Sequence, residues 1–364
     1  MNNRKLSRIL TAVIALLALM LTFVSVTQAK EKYSDDTVKN FIAQTKLYSS
    51  VNHKNLTIIP VKAPYSSAKG TISTFDEAVA EGSLIIKEVS SSGSVNQLAV
   101  INQSDDPVYI MAGEILRGSK QDRVLKDDVL VPAKSGKILV DCFCVEHGRW
   151  TYKSDKFYSG GQNANISVRQ AAKQTQDQSE VWNSVAKTNA SFNQEESGSL
   201  AKSYESKEVT ADKKAYINEI TDIPSRYPEA NGVVVMINGK VLAADIFSDP
   251  RIFRKLWKKL SDSYALEAIS KQNDKSEKGI SSAKEFLSKV QSAEISYAVH
   301  PGLGRKVEIK SAHITGSGLV SGGAPIHIDL FPKLDIPERP KSDFHRNYDQ
   351  RNQINAPNQI QQQE

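Results

Sequence analysis

The run Ile-Leu-Val-Asp-Cys-Phe-Cys-Val at 138–145 is apolar on both of its faces except at Asp141. Successive strand side chains point to opposite sides, so Ile138, Val140, Cys142 and Cys144 share one face and Leu139, Phe143 and Val145 the other. A strand with two apolar faces has to be covered on both, so this run is expected at the centre of a sheet. It belongs to the stretch 98–150, whose shorter apolar runs at 98–102, 108–111, 115–117 and 128–131 are separated by Asp-Pro, Gly-rich and Lys-Ser-Gly breaks. That texture is antiparallel sheet written as short strands and turns.

A second strand-rich region begins at residue 231. Asn238-Gly239 joins apolar runs at 232–237 and 240–246, and this dipeptide suits a two-residue type I′ hairpin because both turn positions need positive φ. Asp249-Pro250 then supplies a cap and a first-turn proline. Ile252, Phe253, Leu256, Trp257, Leu260, Tyr264 and Leu266 follow on one helical stripe. Further strands are expected at 56–61, 83–89, 294–299, 306–314 and 324–331, and helices at 35–49, 73–80, 179–187, 211–220 and around 283–290. The Gly-rich segments 301–305 and 316–323 read as a turn and a flexible connection: the first lacks the third glycine and following helix of a phosphate loop.

These elements define an α+β fold, mainly antiparallel sheet from two strand-rich regions packed against amphipathic helices. With 364 residues, 40% hydrophobic and 24% charged, the chain can bury a real core. The expected organisation is a signal peptide at 1–29, a helical lead-in at 30–55 and a single α+β domain at 56–335. A polar helical excursion at 154–221 interrupts that domain, and a disordered charged and Gln/Asn-rich tail fills 336–364. Arg4, Lys5 and Arg8 precede an apolar run at 9–26 and a Thr27-Gln28-Ala29 cleavage-like site. Cleavage near Lys30 is preferred over an uncleaved anchor, and predicts export to the periplasm, cell surface or medium. The formal charge of +6 falls to +3 without those three basic residues, which is no nucleic-acid signature. The only membrane contact expected is through the signal sequence, if it stays uncleaved.

Two sets of residues could carry chemistry. Cys144 lies near Glu146, His147 and Arg149, the residue types of a thiolate site. Strand parity, however, puts His147 on the face opposite Cys144 and the Glu146 carboxylate on the same face, where it would raise the thiol pKa. Cys142 and Cys144 are therefore read first as buried packing residues. Their Cα atoms would lie about 6.5–7 Å apart, at the edge of what a disulfide accepts. Neither they nor His147 make a usual zinc pattern, and no metal is expected. The second set is Glu114, Arg117, Gln121, Arg123, Glu146 and Arg149. Arg forks recognise carboxylates and phosphates, so these residues form either a pocket for an anion or sugar or an internal Arg-Glu network. His327 and Asp329 alternate with Ile326, Ile328 and Leu330; they read as the solvent face of a half-buried strand, or else as an oriented general base.

Gly113-Glu114, Gly118, Gln121-x-Arg123, the string Cys144-Val145-Glu146-x-Gly148-Arg149-Trp150, and Asn231-Gly232 through Asp245-x-Phe247 and the Trp257 helix resemble the ADP-ribosylglycohydrolase- and rhodanese-phosphatase-associated domain family. The resemblance spans roughly residues 56–332. It implies an association with ADP-ribose and NAD-derived metabolites and supplies no reaction or cofactor. Two functions follow. The first is a non-catalytic module binding an anionic small molecule or an envelope or extracellular partner, with Arg117, Gln121, Arg123 and Arg149 as ligand contacts. The second is a hydrolase or transferase acting on a phosphorylated, glycosyl or ADP-ribose-like ligand, with Glu114, Glu146 or Cys144 as catalytic candidates.

Overall fold

The computed structural model describes residues 34–66, 70–90, 93–94, 96–194, 197–272 and 280–335; the expected signal peptide and tail lie outside them. Helix α1 (Asp35–Ala43) leads into strands β1 (Lys46–Leu47), β2 (Val51–His53) and β3 (Leu56–Lys62). Strand β4 (Ser73–Thr74) runs into α2 (Phe75–Ala80), where Glu77 accepts from the Thr74 N–H at 2.8 Å and satisfies one donor at the helix start. Eight short strands follow: β5 (Leu84–Glu88), β6 (Gln97–Asn102), β7 (Val108–Ile110), β8 (Glu114–Gly118), β9 (Arg123–Leu125), β10 (Val129–Val131), β11 (Ile138–Cys144) and β12 (Phe157–Asn163). Helices α3 (Ile166–Gln174), α4 (Gln178–Ala190), α5 (Leu200–Glu205), α6 (Lys207–Ile220) and α7 (Ile223–Arg226) fill the polar segment. The Asn-Gly hairpin joins β13 (Gly232–Ile237) to β14 (Lys240–Phe247), with φ of 52° at Asn238 and 68° at Gly239, as a type I′ turn requires. Helix α8 (Pro250–Ser270), capped by Asp249 accepting from the Arg251 N–H at 2.8 Å, and α9 (Ile280–Ser288) precede β15 (Glu294–Val299), β16 (Arg305–Lys310), β17 (Ile314–Ser321) and β18 (Ala324–Pro332).

The strands make three sheets. Nine form one antiparallel sheet in the order β1-β3-β13-β14-β18-β17-β16-β15, with β2 also on β3. Six close a barrel, β11-β6-β5-β12-β8-β9, and β10-β7-β4 make a small third sheet. The alternation of side chains along each strand explains the layering, with both faces of the central strands buried. One face of the large sheet, through Val234, Met236, Ala244, Ile246, Ile328 and Leu330, packs on Val38, Phe41 and Ile42 of α1 and Phe286 and Leu287 of α9. Its other face, through Val233, Val235, Ala243 and Phe247, meets α8, the helices of the polar segment and the outer wall of the barrel at Ile115, Val124 and Phe143. Leu98, Val100, Leu116, Leu125, Val140 and Cys142 fill the barrel. Strand β11 is covered on both faces only at its C-terminal end, where Phe143, with Val145 just beyond the strand, enters the inter-layer core. The expectation of two covered faces fails at Leu139, which is 41% exposed, and at Asp141, because the inter-layer core does not reach that end of the strand.

Two further expectations need correcting. Residues 316–323 are no flexible connection: most of them belong to strand β17. Gly316 and Gly318 are required there because a Cβ would come within 2.5 Å of Asp329 O and 2.2 Å of His327 O. His327 and Asp329 do not face solvent; they are 0% and 1% exposed because the face opposite Ile328 is also covered. The polar segment packs through Val168, Val181, Val185, Tyr204 and Tyr216 into the inter-layer core.

Candidate functional site

Two polar clusters interrupt this apolar framework. The first lies at one end of the barrel, where Gly118 and Ser119 take positive φ and the chain turns from β8 towards β9. Asp122 accepts from the Gly118 N–H at 3.0 Å, and its own N–H donates to Glu146 Oε2 at 3.0 Å. Gln121 donates to the Glu146 carbonyl at 3.0 Å, joining this turn to the chain just past β11. Arg149 spans the same turn. It donates to the carbonyls of Ser119 at 3.0 Å and Thr151 at 2.8 Å, and pairs with Glu146 at 2.5 Å and Asp122 at 3.2 Å. Arg117 pairs with Glu205 at 2.6 Å and Asp122 at 3.5 Å. Burial works against ionisation of Glu146, but Arg149 and the Asp122 N–H outweigh it and hold the carboxyl below its ordinary range.

Arg123 is held differently. Its guanidinium, 0% exposed, donates to Gln121 O and Oε1 at 3.2 Å each and to Ser94 O at 3.4 Å, and stands 3.8 Å from Glu88. Its Nε and Glu88 Oε2 have no hydrogen-bond partner among the described residues. The Trp150 ring covers it at 5.5 Å, with the Lys120 ammonium 5.4 Å from the same ring.

The structure brings Arg117, Gln121, Arg123, Glu146 and Arg149 together and leaves Glu114 out. Glu114, 1% exposed, accepts from the Met111 N–H at 3.2 Å and is ion-paired with Lys259, which also meets Asp76 at 2.7 Å. Burial pushes its carboxyl above the ordinary range, and Lys259 opposes that. Cys144 lies at the barrel end with Sγ donating to the Glu146 carbonyl at 3.4 Å, while the His147 ring packs edge-on to Trp182 at 4.5 Å. Burial raises both thiols, Cys142 to about 12. Neither Cys142 nor Cys144 is in a disulfide, and both are buried. A buried, protonated thiol is a poor nucleophile.

The second cluster was not legible as a site. Asp245, His327 and Asp329 project from the large sheet towards α3 and the small sheet. Arg169 of α3 forms a two-pronged pair with Asp245, which also accepts from Tyr264 at 2.6 Å. The His327 ring lies between Asp128, 2.9 Å from Nδ1, and Asp245, 3.3 Å from Nε2, and stacks on Phe247. Lys173 pairs with Asp127 at 3.0 Å and stands 3.9 Å from Asp329; Lys306 pairs with Asp127 at 3.1 Å. Burial disfavours the imidazolium, but the two carboxylates outweigh it and raise His327 to about 9. Four carboxylates thus face four cations. One signal was available in the sequence: Asp245 and Asp329 are charges inside otherwise apolar strand runs, where an unpaired charge would be costly.

Two surface cavities lie away from both clusters. One of about 400 Å³ is lined by Asn238, Lys240 and Gln272, and one of about 70 Å³ by Thr71, Asp249 and Arg251.

A closed six-stranded barrel, its end tied by Arg-Glu pairs and docked by a helical layer on a nine-stranded sheet, makes this an α+β protein with a polar barrel end as its candidate site. The family model described as the ARG and Rhodanese-Phosphatase-superfamily-associated Protein domain matches residues 44–331, and the chain belongs to that family. No curated protein matches the chain, and no solved structure does.

Proposed function

We propose that this chain is an exported, non-catalytic module that binds an anionic ligand at the barrel end. The observation that carries this reading is Arg123, a buried guanidinium with long contacts and an unpartnered Nε directly beneath a half-exposed tryptophan. Buried cations are ordinarily matched closely, and one left short of acceptors is suited to receive an acceptor from outside. Arg117, Gln121, Glu146 and Arg149 frame the site and hold the Gly118–Ser119 turn in place. The alternative, a hydrolase or transferase acting on a phosphorylated, glycosyl or ADP-ribose-like ligand, is weaker: Glu114 is sealed by Lys259, Glu146 is engaged by Arg149, and Cys144 is held protonated by burial. Export rests on the basic n-region, apolar run and Thr27-Gln28-Ala29 of the leader.

A thermal-shift screen with ADP-ribose, NAD and hexose phosphates tests the binding reading. A saturable rise in Tm with at least one is expected, and no rise with any at saturating concentration contradicts it. N-terminal sequencing of the exported chain is expected to start near Lys30.

A further inference from the structure

The three arginines at the barrel end differ in what they have left to offer. Arg149 is committed: two carbonyls and two carboxylates lie within 3.2 Å of its terminal nitrogens. Arg117 is tied to Glu205 and Asp122. Arg123 alone is both wholly buried and under-matched, its contacts running from 3.2 to 3.8 Å against an ordinary N–H···O length near 2.9–3.0 Å. The Nε of all three arginines has no hydrogen-bond partner among the described residues, so it is the length of its other contacts that sets Arg123 apart; its Nε belongs to the planar fork that pairs two-pronged with phosphate.

The Trp150 side chain lies over this site. Trp150 is 46% exposed, yet its ring lies over the Arg123 guanidinium and beside Lys120. Its loop is pinned through the Arg149 side chain to Ser119 O and through the Lys153 N–H to the same carbonyl at 2.9 Å.

We infer that Trp150 is a lid over a phosphate-ester site in which Arg123 makes the direct contact and Lys120 adds a second positive charge. This rests on the binding reading above and assigns its parts. The indole swings outward on its own side-chain torsions while Arg149 holds the loop in place, and the phosphate enters the Nε edge of Arg123. The indole then closes on the ring that the phosphate carries. The ligand class is therefore a phosphate ester bearing a sugar or a flat heterocycle, since both present a face to an indole. Arg149 and Arg117 are positioning residues that hold the turn and loop.

The test uses the full exported chain labelled with 5-fluorotryptophan, in which Trp150, Trp182 and Trp257 give three fluorine resonances and Trp150→Phe assigns one. Inorganic pyrophosphate, a hexose phosphate and a nucleoside diphosphate are titrated in turn, with thermal shift followed in parallel. Expected is a saturable displacement of the Trp150 resonance while Trp257 stays put. The ring-bearing esters should bind roughly tenfold tighter than pyrophosphate, an advantage that Trp150→Ala abolishes. Whether the hexose or the nucleoside ester gains more decides which kind of ring the lid fits. Arg123→Met should lose binding with near-UV circular dichroism unchanged, and Arg123→Lys should retain part of it. Saturable thermal shifts with an unmoved Trp150 resonance and undiminished binding by Arg123→Met overturn the lid and leave the binding reading standing. No binding by any of the three phosphates, in either readout, removes both.

Discussion

Arg169 and Arg123 are both buried guanidiniums, and the protein treats them in opposite ways. Arg169 receives a two-pronged Asp245, with Asp329 4.0 Å away, inside a cluster where carboxylates and cations match in number. Arg123 receives backbone and amide oxygens at 3.2–3.4 Å and a carboxylate at 3.8 Å. A buried charge is tolerated when its desolvation is repaid by close, well-oriented partners. The inter-layer cluster meets that condition at Asp245, His327 and the terminal nitrogens of Arg169, leaving only Arg169 Nε and Asp329 Oδ2 without a hydrogen bond among the described residues, and joins sheet, helix and small sheet to one another. At the barrel end every contact of Arg123 is long, and that slack is what a ligand would take up.

The largest expected effect follows from the tight cluster. Asp245→Asn keeps the shape but leaves Arg169 and His327 without their shared anion, and should lower stability by about 3–5 kcal/mol in urea unfolding. A loss below about 1 kcal/mol would erase the contrast between the two regions.

Next in size is a pH dependence. His327 is raised from its ordinary 6.5 to about 9, so the native state holds a proton that the unfolded chain releases. The stability from this proton is complete below about pH 6.5, declines as pH rises and is gone above about pH 9. Burial opposes the charge on Asp245, but Arg169 and His327 outweigh it and hold its carboxyl low, so its contribution is present above about pH 4 and fades in acid. Unfolding midpoints measured from pH 6 to pH 9.5 should fall for the native chain and stay nearly flat for His327→Gln.

Smaller again is Arg149→Met. It frees Glu146 and Asp122 and the carbonyls of Ser119 and Thr151 at a partly exposed position, and should cost about 1–3 kcal/mol. Limited proteolysis should then cut first between residues 147 and 156. The mildest prediction concerns the thiols. In the native chain Cys142 and Cys144 should react with a maleimide far more slowly than in urea, because burial keeps them protonated. Rapid native labelling of Cys144 would revive it as a nucleophile.

How much of this could be read beforehand differs between the two regions for a physical reason. The barrel-end residues Arg117, Gln121, Arg123, Glu146 and Arg149 fall within one stretch of alternating strands and turns, so local periodicity was enough to group them. Glu114 was misplaced with them because the end of β8 from which it projects meets Lys259 of α8, a contact that only tertiary packing creates. The inter-layer cluster draws Asp128, Arg169, Asp245 and His327 from four distant segments: strand register sets Asp245 beside Asp329 and Phe247 beside His327, and packing between layers brings in Arg169 and Asp128. The fold shows the same divide. The Asn-Gly hairpin and the Asp249-Pro250 helix start were legible because their signals are local. Strand β17 was not, since glycines that read as breakers are what let it approach β18. Strand β12 was also missed: Phe157–Asn163 is polar and bulged.

The most direct test of the contrast is chemical denaturation of Arg123→Met. Replacing an under-matched buried cation with an apolar side chain of similar length should leave stability within about 1 kcal/mol of the native chain, or raise it. A loss comparable to that of Asp245→Asn would mean that Arg123 is as tightly held as Arg169, and that the barrel end has no slack for a ligand.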